Sequence, residues 1–90
     1  MSDEQYQRKR ELLGGEIADE LVVLDPESGE CFGLNPVAAT VWKLLDQPKN
    51  ADQLRSALLE HYDVSAKRCS EELRDLLADM ATKGLIEMAG

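Results

Sequence analysis

LDPESGECFGLNPVAATVW, Leu24 to Trp42, decides how this chain folds. It opens with Asp25-Pro26-Glu27-Ser28-Gly29, where proline stands at a turn's second position and glycine at its end, the pattern of a type I turn. Glu30 to Leu34 then has the length of a short strand, and by alternation Phe32 and Leu34 share one face while Cys31 and Gly33 share the other. Asn35-Pro36 supplies a helix N-cap followed by proline at the first helical position. Strand therefore gives way to helix at Asn35, and the two sides of that point read differently.

Upstream, Leu21-Val22-Val23-Leu24 is an apolar, β-branched run of strand length. Leu12 to Ile17 reads as a weaker strand with a bulge or bend at Gly14-Gly15, and Ala18-Asp19-Glu20 as the turn between the two. Residues 1–10 are polar and read as a loosely attached, flexible segment, leaving 11–90 as the domain. Downstream, Val37, Ala38, Val41, Leu44 and Leu45 mark one apolar helix face that ends at Gln47-Pro48. Asn50 with Gln53 three residues on predicts a capping box, and Leu54, Ala57, Leu58 and Tyr62 the stripe of a second helix. Ser65 caps a long third helix lined by Cys69, Leu73, Leu76, Leu77, Met80 and Ala81 and closed by Lys83-Gly84, after which Leu85-Ile86 folds back as a hydrophobic closure. The expected fold is α+β: a three-stranded antiparallel meander followed by three helices, winged-helix-like with the wing moved to the front.

Ninety residues, 43% hydrophobic and 31% charged, make one globular domain. Eighteen acids against ten bases give a net charge of −8, which phosphate backbones repel. The bases of the third helix, Lys67, Arg68, Arg74 and Lys83, are interleaved with Glu71, Glu72, Asp75 and Asp79 and form no row that could read base edges. A small winged-helix DNA-binding regulator is thus the reading from another class, and the weaker one; no nucleic acid is expected as a partner. No stretch is long and apolar enough for a signal peptide or a membrane span, so the expectation is a cytoplasmic protein with no membrane partner. Cys31 and Cys69 fit no metal-ligand spacing and read as reduced, small hydrophobes.

The inventory of chemistry is thin. His61 is the sole histidine and sits at the expected end of the second helix, where its charge suits the dipole. No nucleophile elbow, phosphate loop or zinc motif is present, so no catalytic residue, metal or cofactor is expected and the chain does not read as an enzyme. What remains is the third strand. An outer strand of a meander has unpaired N–H and C=O groups, and Glu30-Cys31-Phe32-Gly33-Leu34 carries none of the lysine or proline that usually blunts an edge. An extended peptide could add there as a fourth strand, with the flank of the third helix supplying side-chain pockets. Protection by brevity, or sequestration in a homodimer, are the alternatives.

LVVLDPESGECFGLNPVAATVWKLLD, LRSALLEHYDV and LRDLLADMATKGLIE together resemble the PqqD-like family over residues 11–88, with Leu34-Asn35, Trp42 and Gly84-Leu85 as the matching landmarks. The resemblance implies a non-catalytic peptide chaperone, a recognition element for ribosomally made, post-translationally modified peptides in natural product biosynthesis. Such a chaperone binds the leader segment of a precursor peptide as a strand added to the third strand, beside the third helix. It presents the precursor to a modifying enzyme, a radical SAM protein or a leader peptidase and cyclase. Carried over, Glu30, Cys31, Phe32, Gly33 and Leu34 frame the leader, and Cys69, Glu72, Leu73 and Leu76 face it from the third helix. ESGECFGLN resembles the broader group more than the cofactor-pathway protein, so a chaperone of the PqqA precursor in coenzyme PQQ biosynthesis is the alternative. The chain is expected as a monomer or a domain-swapped homodimer.

Overall fold

A computed structural model describes residues 4–9 and 11–89. Its elements are β1 (Gln5–Arg8), β2 (Leu13–Ile17), β3 (Glu20–Leu24), β4 (Cys31–Leu34), α1 (Pro36–Leu44), β5 (Lys49–Asn50), α2 (Ala51–His61), α3 (Ala66–Thr82) and β6 (Ile86–Ala89). The strands form two antiparallel sheets, in the orders β2-β3-β4 and β5-β1-β6. The expected meander and three helices are present, and the expected third strand is β4. The second sheet is an addition to the expected architecture.

That second sheet corrects the reading of the N-terminal segment. Gln5 to Arg8, expected to be loosely attached, pair with β6 from Gln5↔Ala89 to Arg8↔Ile86, and with β5 on the other side. Arg8 also fastens the strand to α1: its Nε donates to the Trp42 carbonyl at 2.7 Å, its Nη2 to that of Lys43 at 3.3 Å, and its guanidinium lies 4.8 Å from the Trp42 ring centroid. A cation on the last carbonyls of a helix and over an indole face is favourable on both counts.

The meander follows local chemistry closely. Asp25 Oδ1 accepts from the Glu27 and Ser28 amides, and Gly29 takes φ +77° as its amide donates to the Asp25 carbonyl. The hairpin between β2 and β3 has a two-residue loop, Ala18-Asp19, rather than the expected three. Both residues adopt positive φ, 51° and 69°, which suits a twisted hairpin but costs any residue with a Cβ. Replacing Ala18-Asp19 by Asn-Gly should therefore raise the urea midpoint, with a gain of about 1 kcal/mol. Gly14 and Gly15 make no bulge; the ladder runs unbroken from Leu13↔Leu24 to Ile17↔Glu20.

Asp25 also sets an acid-sensitive point. The backbone hydrogen bond from Glu27, together with those of Ser28, holds its carboxyl below the ordinary aspartate range. A carboxylate whose folded pKa is depressed adds stability above its unfolded pKa and loses it as pH falls through the folded value. Asp25→Asn should flatten the acid limb of the stability profile below the ordinary aspartate pKa while leaving its neutral-to-alkaline shape unchanged, as chemical denaturation across pH would read.

The helices are capped as expected. Asn35 accepts from the Ala38 amide, Asn50 and Gln53 form the reciprocal box, and Ser65 accepts from Arg68. At the end of α3, Gly84 at φ +75° donates to Ala81 while Leu85 donates to Met80, the paired bonds of a Schellman motif. The core joins Leu21, Val23 and Leu34 of the meander to Ala38, Val41, Trp42 and Leu45, to Leu54 and Leu58, to Cys69, Leu73, Leu77 and Met80, and to the closing Leu85 and Ile86. Ala81 falls outside it and is exposed. Among the described residues no helix is long and apolar enough to cross a membrane.

Candidate peptide-binding edge and groove

The hydrogen-bond register tells which groups of β4 are open. In an antiparallel pair, residues that exchange ladder bonds alternate with residues that do not. The Asp25 amide donates to the Glu30 carbonyl at 2.9 Å, and the pairs Val23↔Phe32 and Leu21↔Leu34 follow at alternate positions. Glu30, Phe32 and Leu34 therefore turn their main-chain groups toward β3. Cys31 and Gly33 turn theirs outward, away from every described strand. The side chains alternate in step, across the sheet: Phe32 is half-buried and Leu34 buried, as expected of core-facing residues, while Cys31 and Gly33 are exposed. A Cβ placed on Gly33 would meet nothing within 4 Å.

Beyond the end of β4 the chain enters α1, whose second residue, Val37, opens an apolar cavity of about 90 Å3. Its walls are Val37, Leu58, Tyr62, Val64, Cys69, Glu72 and Leu73. Of the third-helix residues carried over by resemblance, Cys69, Glu72 and Leu73 stand in this wall, while Leu76 packs half-buried against the core. Cys69 and Leu73 are themselves core residues and give the cavity its floor; both cysteines are free. Glu72 sits at the exposed rim, 2.9 Å from Arg68 one helical turn earlier. Tyr62 is held by a 3.1 Å hydrogen bond between its hydroxyl and that of Thr40, which ties the end of α2 to α1.

Val37, Leu58, Tyr62 and Val64 were not anticipated as site residues. Val37 lies off the buried face of α1, which is spaced Ala38, Val41, Trp42 and Leu45, and is 39% exposed; Val64 is 38% exposed in the link before α3. The signal was there in part: a valine between Asp63 and Ser65 is an apolar residue with no helix face to serve.

A larger cleft, about 430 Å3, lies between β1, the meander and the end of α1. Two of its cationic groups already have internal work: Arg8 on the carbonyls of α1, and Lys43 on Glu16 at 2.8 Å. That contact keeps the Glu16 carboxyl below its ordinary range. Among the described residues no cluster of side chains could hold a metal ion.

The sequence of residues 20–86 matches the profile of coenzyme PQQ synthesis protein D (PqqD). The chain belongs to the PqqD family. Among solved structures, this PqqD-family chain is similar to TbiB1 in complex with the TbiA(beta) leader peptide, at 31% identity and a TM-score of 0.81 over 90% of this chain and 94% of that one. It also resembles the PqqD truncation of Methylobacterium extorquens PqqCD, a functional, stand-alone recognition element for ribosomally synthesised and post-translationally modified peptides. There the identity is 25% and the TM-score 0.75, over 92% and 88% of the two chains. Lasso peptide synthetase B1 complexed with the leader peptide shares the fold at 24% identity and a TM-score of 0.77, over 91% and 96%. No curated protein matches the sequence.

Proposed function

We propose that this chain is a non-catalytic recognition element that binds the leader segment of a ribosomally made precursor peptide. The leader adds as a strand to β4, and the precursor is thereby presented to a modifying enzyme in the cytoplasm, a radical SAM protein or a leader peptidase and cyclase. The observation that carries this reading is the outward register of Cys31 and Gly33, which leaves four main-chain groups open on an edge strand whose chain continues into α1, where Val37 stands in the wall of an apolar cavity. The likeness to leader-bound TbiB1 supports it.

The energetics suit a disordered guest. Four ladder bonds at about 0.5–1.5 kcal/mol each, with two apolar anchors at about 1.5–3 kcal/mol each, give a gross attraction of about 5–12 kcal/mol. Ordering the leader consumes part of this, so a Kd around 1 μM, near −8 kcal/mol, is the expectation. One anchor reaches the cavity over Cys69 and Leu73; a basic guest residue near the rim would meet Glu72 on a surface whose net charge is −8. Calorimetric titration with synthetic leaders of neighbouring precursor genes tests the reading. Saturable binding by one of them at micromolar concentration is expected. Absence of saturation with every cognate leader overturns it.

A further inference from the structure

The meander has a second free edge, β2. Alternation from the closing pair Ile17↔Glu20 makes Gly15↔Val22 and Leu13↔Leu24 the ladder-bonded pairs, so Gly14 and Glu16 turn their main-chain groups outward. Every residue of the strand is exposed, and it carries no lysine, proline or bulge to blunt it. Leu13 and Ile17 are 58% and 65% exposed, more than any other large hydrophobic side chain described. Val37 and Val64 stand in the wall of the cavity beyond β4, and Leu13 and Ile17 do not.

We propose that β2 pairs antiparallel with β2 of a second copy of this chain, across a two-fold axis at Gly15, to make a continuous six-stranded sheet. The register is self-complementary. Gly14 of each copy exchanges ladder bonds with Glu16 of the other, the two Gly15 residues meet at the axis, and Leu13 of each copy stands opposite Ile17 of the other. These last two pairs fall at the closer, non-bonded positions of the ladder, where cross-strand apolar contacts are strongest.

Charge fits the same register. Glu16 faces a glycine rather than an acid, and its own Lys43 neutralises it at 2.8 Å. This matters because two copies at −8 each otherwise repel. Five residues a side form a small contact, below the roughly 1,200 Å2 at which stable complexes begin, so the dimer is concentration-dependent, with a Kd between roughly 10 μM and 1 mM. No strand is exchanged between copies, and both β4 edges stay at the outer margins of the joined sheet. The pairing therefore stands independently of the leader-binding reading.

Sedimentation velocity on the full chain, over concentrations spanning that range, tests it. A shift from monomer to dimer is expected. Leu13→Lys, at an exposed position, should weaken it by about tenfold or more by setting a lysine against Ile17 of the other copy. The double variant L13K/I17E should recover most of the loss, because the introduced lysine then faces the introduced glutamate of the other copy. Within one chain the two positions are four residues apart along an extended strand and do not meet, so recovery can arise only between copies. A monomer at every concentration, a double variant no better than the single one, or dispersal by Gly33→Pro, which would place the contact on β4, each overturns the proposal.

Discussion

Gly33→Pro should weaken leader binding by about 10- to 100-fold and leave the fold in place. The Gly33 amide points away from β3, so proline removes no bond that the meander uses. It removes instead a donor that the guest strand needs, and an unpaired guest carbonyl costs about 1–3 kcal/mol. An outward-facing edge position is where a strand tolerates proline, and open space surrounds the Gly33 Cα on its side-chain face. Phe32→Pro, one residue earlier, should do the opposite: its amide belongs to the Val23 pair, so the ladder with β3 breaks and the unfolding midpoint falls. Calorimetry and thermal unfolding of the two variants separate the roles. If Gly33→Pro binds like the parent chain, β4 is not where the leader docks.

The second large effect concerns the N-terminal strand. Deleting residues 1–9 should cost about 3–6 kcal/mol, a large share of the roughly 5–15 kcal/mol that stabilises a typical domain. The deletion strips β1 from between β5 and β6 and uncovers one side of Ile86, which is 2% exposed. The three carbonyl and ring contacts of Arg8 go with it. A full-length helical signal and an unchanged urea midpoint after the deletion would show β1 to be dispensable. The point variant Arg8→Ala isolates the clamp on α1 from the ladder.

These two segments also show which parts of the fold were legible. Helix starts were, because a cap is a local matter: Asn35, Asn50 with Gln53, and Ser65 each act on an amide within three residues. The turn at Asp25 was legible for the same reason. Gln5-Tyr6-Gln7-Arg8 carries no apolar alternation, and its strand character comes from partners about eighty residues away in β6, which no local pattern announces. β5 is two residues long and reads as the capping segment of α2, which Asn50 also is. At the candidate site, the edge character of β4 and the facing of Phe32 and Leu34 followed from strand alternation. The second edge, β2, was equally implicit in a three-stranded meander, but the glycines at 14 and 15 drew the reading toward a bend. The cavity wall was only partly legible, because it is assembled from a helix start, a helix end and a link that meet in space and not in sequence.

The pairing of Gln5 with Ala89 brings the beginning and the end of the domain side by side. A polypeptide appended at either position departs from the sheet that does not carry β4. The domain is thus suited to being spliced into a surface loop of a host protein, or recircularised through a short connector and reopened elsewhere, with the open edge of β4 untouched.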